Sequence, residues 1–168
     1  PSDCLTFYRP SFGRQSKESS SVFGEFDAIL VSLENVYLIE SKWDNLAVFR
    51  NGEITIRREQ EIRHQIFSWY LTHWNKRYSN DWGSFVKEYQ DDFQKKFDGK
   101  IIARSGKLLA TNLEFILNEI LEKCKRVSPD NIKNVLLFFY NAEKSKPPRI
   151  GKGFTLIPID YSLSLIHI

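Results

Sequence analysis

The sequence predicts an α/β domain with a central mixed β-sheet flanked by helices. Three observations predict it. Residues 22–43 carry the period-two alternation of strands. The segments 57–74 and 112–121 instead repeat apolar side chains at spacings of three and four, as amphipathic helices do. Residues 134–140, NVLLFFY, form an unbroken apolar run of strand length, as in a strand buried on both faces.

The size and composition narrow the classes. With 168 residues, the chain can build one domain with a real core but hardly two, and residues 1–162 read as a single domain. It is 42% hydrophobic and 27% charged, a globular and soluble balance. No apolar run approaches the roughly 18 residues of a membrane span, and the start does not read as a signal peptide. The chain holds no Met, so Pro1 does not read as a natural start and the chain reads as a fragment. A net charge of +3 permits a nucleic-acid partner without requiring one. Cys4 and Cys124 lie far apart, in neither a metal-ligand nor a redox spacing. They read as free thiols of a reducing compartment, which points to the cytoplasm.

The elements follow in order. Residues 1–21 are rich in Ser, Arg and Lys and read as a loop or a truncated leading element. Strands over 22–32 and 36–43 follow, joined by Leu33-Glu34-Asn35. In LAVFRNGEITI, the pair Asn51-Gly52 predicts a small extra hairpin, because both central turn residues need positive φ. Over 57–74, Ile62, Ile66, Trp69, Tyr70 and His73 recur at spacings of three and four and predict a helix whose Ile62, Ile66 and Trp69 pack into the core, and a second helix covers 82–97. Asn112 suits the cap of a third, with Leu113, Ile116, Leu117, Ile120 and Leu121 as its buried face. After the 134–140 strand, AEKSKPPRIGKG reads as a loop. FTLIPIDY reads as a final strand near an edge, since Pro158 cannot donate to a ladder. Residues 163–168 read as a non-native tail.

The most informative stretch is GEFDAILVSLENVYLIESKW, residues 24–43, because it sets charges inside two good strands. Period two puts Glu25, Asp27, Ile29 and Val31 on one face and Phe26, Ala28 and Leu30 on the other. In the second strand Leu38, Glu40 and Lys42 share a face, opposite Tyr37, Ile39, Ser41 and Trp43. Pairing through the turn brings position 27 level with position 40. Two carboxylates side by side are costly unless a positive charge sits between them. A hard divalent cation such as Mg²⁺ answers that need, held by Asp27, Glu40 and the backbone carbonyl of Ser41. Lys42 would then face a metal-bound water. The competing reading is a solvated face carrying a Glu–Lys cross-strand pair.

The acid at 27, the Glu40-Ser41-Lys42 run and the preceding Gly24-Glu25-Phe26 together resemble the PD-(D/E)xK nuclease superfamily, whose fold is restriction-endonuclease-like. The nuclease-related (NERD-type) branch is the nearer likeness. Its pattern continues into a helix with Gln-x-x-x-His, and this chain has Gln60-Glu61-Ile62-Arg63-His64. The likeness covers residues 23–75 and departs from the family in two places: no Pro precedes the Asp, and a leading helix before residue 22 is not visible. The resemblance implies Mg²⁺-dependent hydrolysis of DNA, with Mn²⁺ as a substitute. It implies Asp27, Glu40, Lys42 and Gln60 as catalytic residues, with Glu25 as a candidate additional acid. Gln65, four residues before Trp69, is the alternative glutamine.

Arg57, Arg58 and Arg63 form a basic edge suited to DNA phosphates, or simply a solvated surface. His64 and His73, nine apart, are not at a metal spacing, and His64 reads as a structural histidine or a phosphate contact. The loop lysines and arginine at 144, 146, 149 and 152 could track a nucleic-acid backbone, although a solvated loop is the plainer reading. The tryptophans read as packing residues rather than base-stacking platforms. Two rival functions stand beside the nuclease. One is a catalytically inactive nucleic-acid-binding module of the same fold; the other is an interaction domain with a surface ion network. RNA as partner and the oligomeric state stay open.

Overall fold

The computed structural model describes residues 4–10, 25–44, 49–50, 53–151 and 153–162. In chain order its strands are β1 (Leu5–Tyr8), β2 (Ala28–Val31), β3 (Val36–Trp43), β4 (Phe49–Arg50), β5 (Glu53–Ile54), β6 (Ile132–Tyr140), β7 (Arg149–Ile150) and β8 (Thr155–Asp160). The helices between β5 and β6 are α1 (Arg58–His73), α2 (Trp82–Lys96) and α3 (Leu108–Lys123).

The main sheet is mixed and five-stranded, in the order β1-β2-β3-β6-β8. β1, β2 and β3 form an antiparallel meander, while β6 runs parallel to β3 and β8 parallel to β6. The β2–β3 turn closes on Ser32, whose Oγ accepts from the amides of Glu34 and Asn35. The long apolar β6 sits between two partners, as its composition requires, and β8 with Pro158 lies at the edge. A second sheet, β4-β5-β7, is small. Its Ile54, with nearby Ile56, packs on Leu136 and Phe138 of β6.

All three helices feed one core with the sheet. Ile29, Val31, Val36 and Leu38 from the strands meet Ile66, Phe67 and Tyr70 of α1 and Leu113, Leu117 and Ile120 of α3. Trp69 of α1 stands edge-on to Phe85 and Phe93 of α2 at 5.8 and 4.8 Å between ring centroids. Such contacts add about 0.5–1.5 kcal/mol per pair beyond area burial. Three indole N–H groups are satisfied inside: Trp69 by Asp92, Trp74 by Asn118 and Trp82 by the Ala103 carbonyl.

Five expectations need correction. The leading segment is not all loop, because Leu5–Tyr8 pairs along the β2 edge; four residues are too few to show a period of their own. The first hairpin strand is shorter than 22–32, since pairing starts at Ala28 and Asp27 forms a bend. That bend breaks the alternation. Phe26 turns into the core, fully buried, 4.9 Å from the His64 ring and 5.3 Å from that of Phe67. α3 begins four residues before Asn112, at Leu108, because Leu109 and Ala110 extend the buried face without a side-chain cap. The basic loop contains β7, which is held by β5 rather than by any signal of its own. Gly24, Asn51-Gly52, Lys152 and the tail 163–168 lie outside the described residues.

Among the described residues, no helix is long and apolar enough to cross a membrane. Cys4 is exposed and Cys124 is buried, and no disulfide joins them.

Candidate active site

The β2–β3 ladder ends at Ala28 opposite Ile39, and one residue further along each strand stand Asp27 and Glu40. The Asp27 amide still donates to the Ile39 carbonyl at 3.2 Å, so the bend stays fastened to β3. The Asp27 carboxylate reaches across the strand. Its Oδ2 accepts from the Ser41 amide at 2.6 Å and from the Ser41 hydroxyl at 2.9 Å.

Glu40 points to the helix side of the sheet, with Val36 and Leu38, and is only 3% exposed. A carboxylate buried that deeply needs donors. α1 supplies them. Gln60, Arg63 and His64 recur at spacings of three and four, so they share one helical face, and that face lies over Glu40. Gln60 Nε2 donates to Glu40 Oε2 at 2.8 Å. Arg63 Nη1 and His64 Nε2 lie 3.4 and 3.3 Å from Glu40 Oε1. Gln60 is itself fixed, because its Oε1 accepts from the Arg57 amide at the start of the helix.

His64 ties the cluster to β6. Asn134 Nδ2 donates to the Gly153 carbonyl, which leaves Asn134 Oδ1 as the acceptor for His64 Nδ1 at 2.8 Å. His64 is therefore a buried structural partner of Glu40 rather than an outward phosphate contact.

Lys42 lies two residues beyond Glu40 and shares its sheet face. Its ammonium donates to the Thr55 carbonyl at 3.0 Å, which couples the site to the small sheet. Burial, and then the charge of Arg57, push the amine below the usual lysine range, while Glu40 pulls it back up.

The remaining candidates divide. Glu25 forms an exposed pair with Arg9 at 3.2 Å and touches none of the cluster. Arg57 and Arg58 are exposed on the first turn of α1. Arg63 leaves the proposed basic edge: it pairs with Glu40 and lies 5.7 Å over the Phe26 ring. Gln65 is exposed and makes no contact with Glu40, so the glutamine at the carboxylate is Gln60. Among the described residues no group of three or more His, Cys, Asp or Glu is arranged to hold a metal.

Sequence reasoning expected Gln60 at the cluster but missed Arg63 and His64 beside Glu40, although the i, i+3, i+4 spacing from Gln60 carried the signal. It also missed two carboxylates at the C-terminal ends of β3 and β8. Asp44 accepts from the Tyr161 hydroxyl and the Asn141 amide. Asp160 accepts from the Ser162 hydroxyl and amide and from the Ala142 amide, and these hold its carboxyl below the ordinary range. Comparison of the chain with protein-family models, curated proteins and solved structures returns no match.

Proposed function

We propose that this chain is a metal-dependent nuclease that hydrolyses phosphodiester bonds of DNA, built on a restriction-endonuclease-like core with a NERD-type site. The observation that carries the reading is the bond from Gln60 to Glu40, with Lys42 on the same sheet face and Asp27 at the adjoining strand end. The strand order supports it: an antiparallel meander bearing the acids, then the glutamine-bearing helix, then a parallel strand beside the Glu-x-Lys strand.

The donor set fits a hard cation such as Mg²⁺ or Mn²⁺. Asp27 and the Ser41 carbonyl would offer oxygen, and Glu40 would join through oxygens that already face Gln60, Arg63 and His64. Among the described residues, Asp27 Oδ1 accepts no hydrogen bond, whereas Oδ2 is held by Ser41. When bound, the ion supplies Lewis-acid charge at the scissile phosphate and acidifies a water. The chain's own residues do the rest. Gln60 fixes the orientation of Glu40. An ammonium has three donors, and one is used on Thr55, so Lys42 keeps two for the water and a phosphoryl oxygen. Arg57 and Arg58 hold neighbouring phosphates, a salt-sensitive and sequence-independent contact.

A specific observation favours a second reading, that of a binding module without catalysis. Arg63 already neutralises Glu40, so the carboxylate needs no cation to be buried. One experiment separates the two. Wild type and Asp27→Asn are incubated with duplex, single-stranded and branched DNA and with RNA, in Mg²⁺, Mn²⁺ or EDTA. The nuclease requires metal-dependent cleavage by wild type that is lost in the variant. DNA binding without cleavage under every condition assigns the binding module.

A further inference from the structure

We infer that the groove lined by Phe49 and Phe138 binds unpaired nucleotides, so that the substrate presented to this site is single-stranded DNA. The inference rests on the nuclease reading for its choice of DNA and adds the form of DNA to it.

Lys42 is paired with Phe138 across β3 and β6, and paired residues share a sheet face. The Phe138 ring thus stands next to the lysine. Phe49 of β4 lies edge-on to it, with centroids 6.1 Å apart and ring planes at 88°. Phe49 is 45% exposed, a large apolar ring left in water on a two-residue strand. Phe49, Phe138 and Tyr161 floor a groove of about 760 Å³, walled by Lys144, Lys146 and the Pro147-Pro148 pair.

The wall is built, not loose. The Asn141 carbonyl accepts from the amides of both Lys144 and Ser145 at 3.0 Å, and the Asn141 side chain accepts from the Glu143 amide at 2.9 Å. Asp44, which also lines the groove, is engaged by Tyr161 and Asn141. Lys144 and Lys146 are exposed, and among the described residues neither joins a salt bridge.

An aromatic floor edged by lysines is the chemistry of single-strand binding. Each base offers a π-face to stack on Phe49, and the adjoining phosphates meet the ammonium groups. Duplex bases are already stacked on their neighbours and cannot use the floor. Phe138, which lines the groove, pairs with Lys42 across β3 and β6, so a strand held on Phe49 lies one residue pair from the candidate site.

The test reads binding in EDTA, where no cleavage is needed. Anisotropy of labelled oligothymidylate, a matched duplex and oligouridylate is followed at fixed salt. Wild type should prefer oligothymidylate to the duplex. Phe49→Ala should lose about tenfold for oligothymidylate, the scale of one lost stacking contact, and little for the duplex. Phe49→Trp should bind as well as wild type or better. A Lys144→Ala, Lys146→Ala protein should show a shallower salt dependence, by about 0.7 in slope for each lost phosphate contact. Equal wild-type affinity for duplex and oligothymidylate, or an unaffected Phe49→Ala, overturns the groove assignment. Tighter binding of oligouridylate overturns the choice of DNA. Absence of hydrolysis in Mg²⁺ would sink the nuclease reading yet leave this binding result standing. Duplex cleavage without any single-strand preference would do the reverse.

Discussion

Gln60 Nε2 donates to Glu40 Oε2 at 2.8 Å, which joins the first turn of α1 to β3. The contact is specific for an amide donor. Gln60→Ala removes one donor from a buried carboxylate and should cost about 1.5–3 kcal/mol, the range for a hydrogen bond to a charged group. Gln60→Glu faces a carboxylate with another and should cost more. Urea midpoints should therefore fall in the order wild type, Gln60→Ala, Gln60→Glu. A Gln60→Glu protein as stable as wild type would break this account of the contact.

Arg63 and Glu40 form the most buried ion pair between an arginine and a carboxylate among the described residues, with side chains 15% and 4% exposed. Removing one partner of such a pair is worse than removing both, because a lone buried charge remains. Arg63→Met keeps apolar bulk over Phe26 and should cost about 3 kcal/mol. Adding Glu40→Gln should recover part of that loss. Chemical denaturation of both single variants and the double closes the cycle, and simple additivity would mean that the pair is not coupled.

Much of this arrangement could be read in the chain, and the rest had physical reasons to stay hidden. The 36–43 strand is found with those bounds, its burial alternating from Val36 to Ser41. The choice of Gln60 over Gln65 rested on the Gln-x-x-x-His likeness, and it is Gln60 that bonds Glu40. Phe26 was assigned to the wrong face because alternation holds only while a strand continues, and Asp27 is a bend. β1 and β7 have four and two residues, so neither carries its own period; their partners define them. Arg63 looked like surface because a charged side chain reads as solvated until its carboxylate partner is located. Asn112 suggested a cap, but two buried residues ahead of it, Leu109 and Ala110, lengthen α3.

Tyr70 offers a prediction about pH that does not involve the candidate site. Its phenol is almost wholly buried and accepts from the Ala103 amide at 3.3 Å. Burial pushes its pKa up, and the Ala103 amide offsets part of that rise. The native state therefore holds the proton more tightly than the unfolded chain does. Its contribution is complete below the unfolded value of about 10 and is lost as pH rises from there toward the folded pKa. Near neutral pH, Tyr70→Phe should cost about 1–3 kcal/mol, for an amide that loses this acceptor. The gap between wild type and variant should narrow above about pH 10, since only wild type pays for ionisation there. A gap that widens in alkali would contradict the sign.

Lys42 separates catalysis from grip. Its ammonium is pressed from one side by Arg57 and held by the Thr55 carbonyl, with Glu40 as the compensating charge. Lys42→Ala loses one hydrogen bond and relieves the repulsion from Arg57, so its stability should change little. Affinity for Mg²⁺ should hold or rise slightly, because a like charge leaves the neighbourhood of the carboxylates. DNA binding should fall modestly, as for one lost phosphate-facing cation. Cleavage should fall about a hundredfold or more, the scale for one preorganised group that acts on charge developing in the transition state. Lys42→Arg sharpens the comparison, because it keeps the charge but replaces a compact ammonium with a planar fork. It should retain DNA affinity without restoring the rate. The measurements are metal affinity, DNA affinity at fixed salt and cleavage rate for all three proteins. Equal losses in affinity and rate would make Lys42 a phosphate clamp, and the rate would then have to come from Asp27, Glu40 and Gln60 alone.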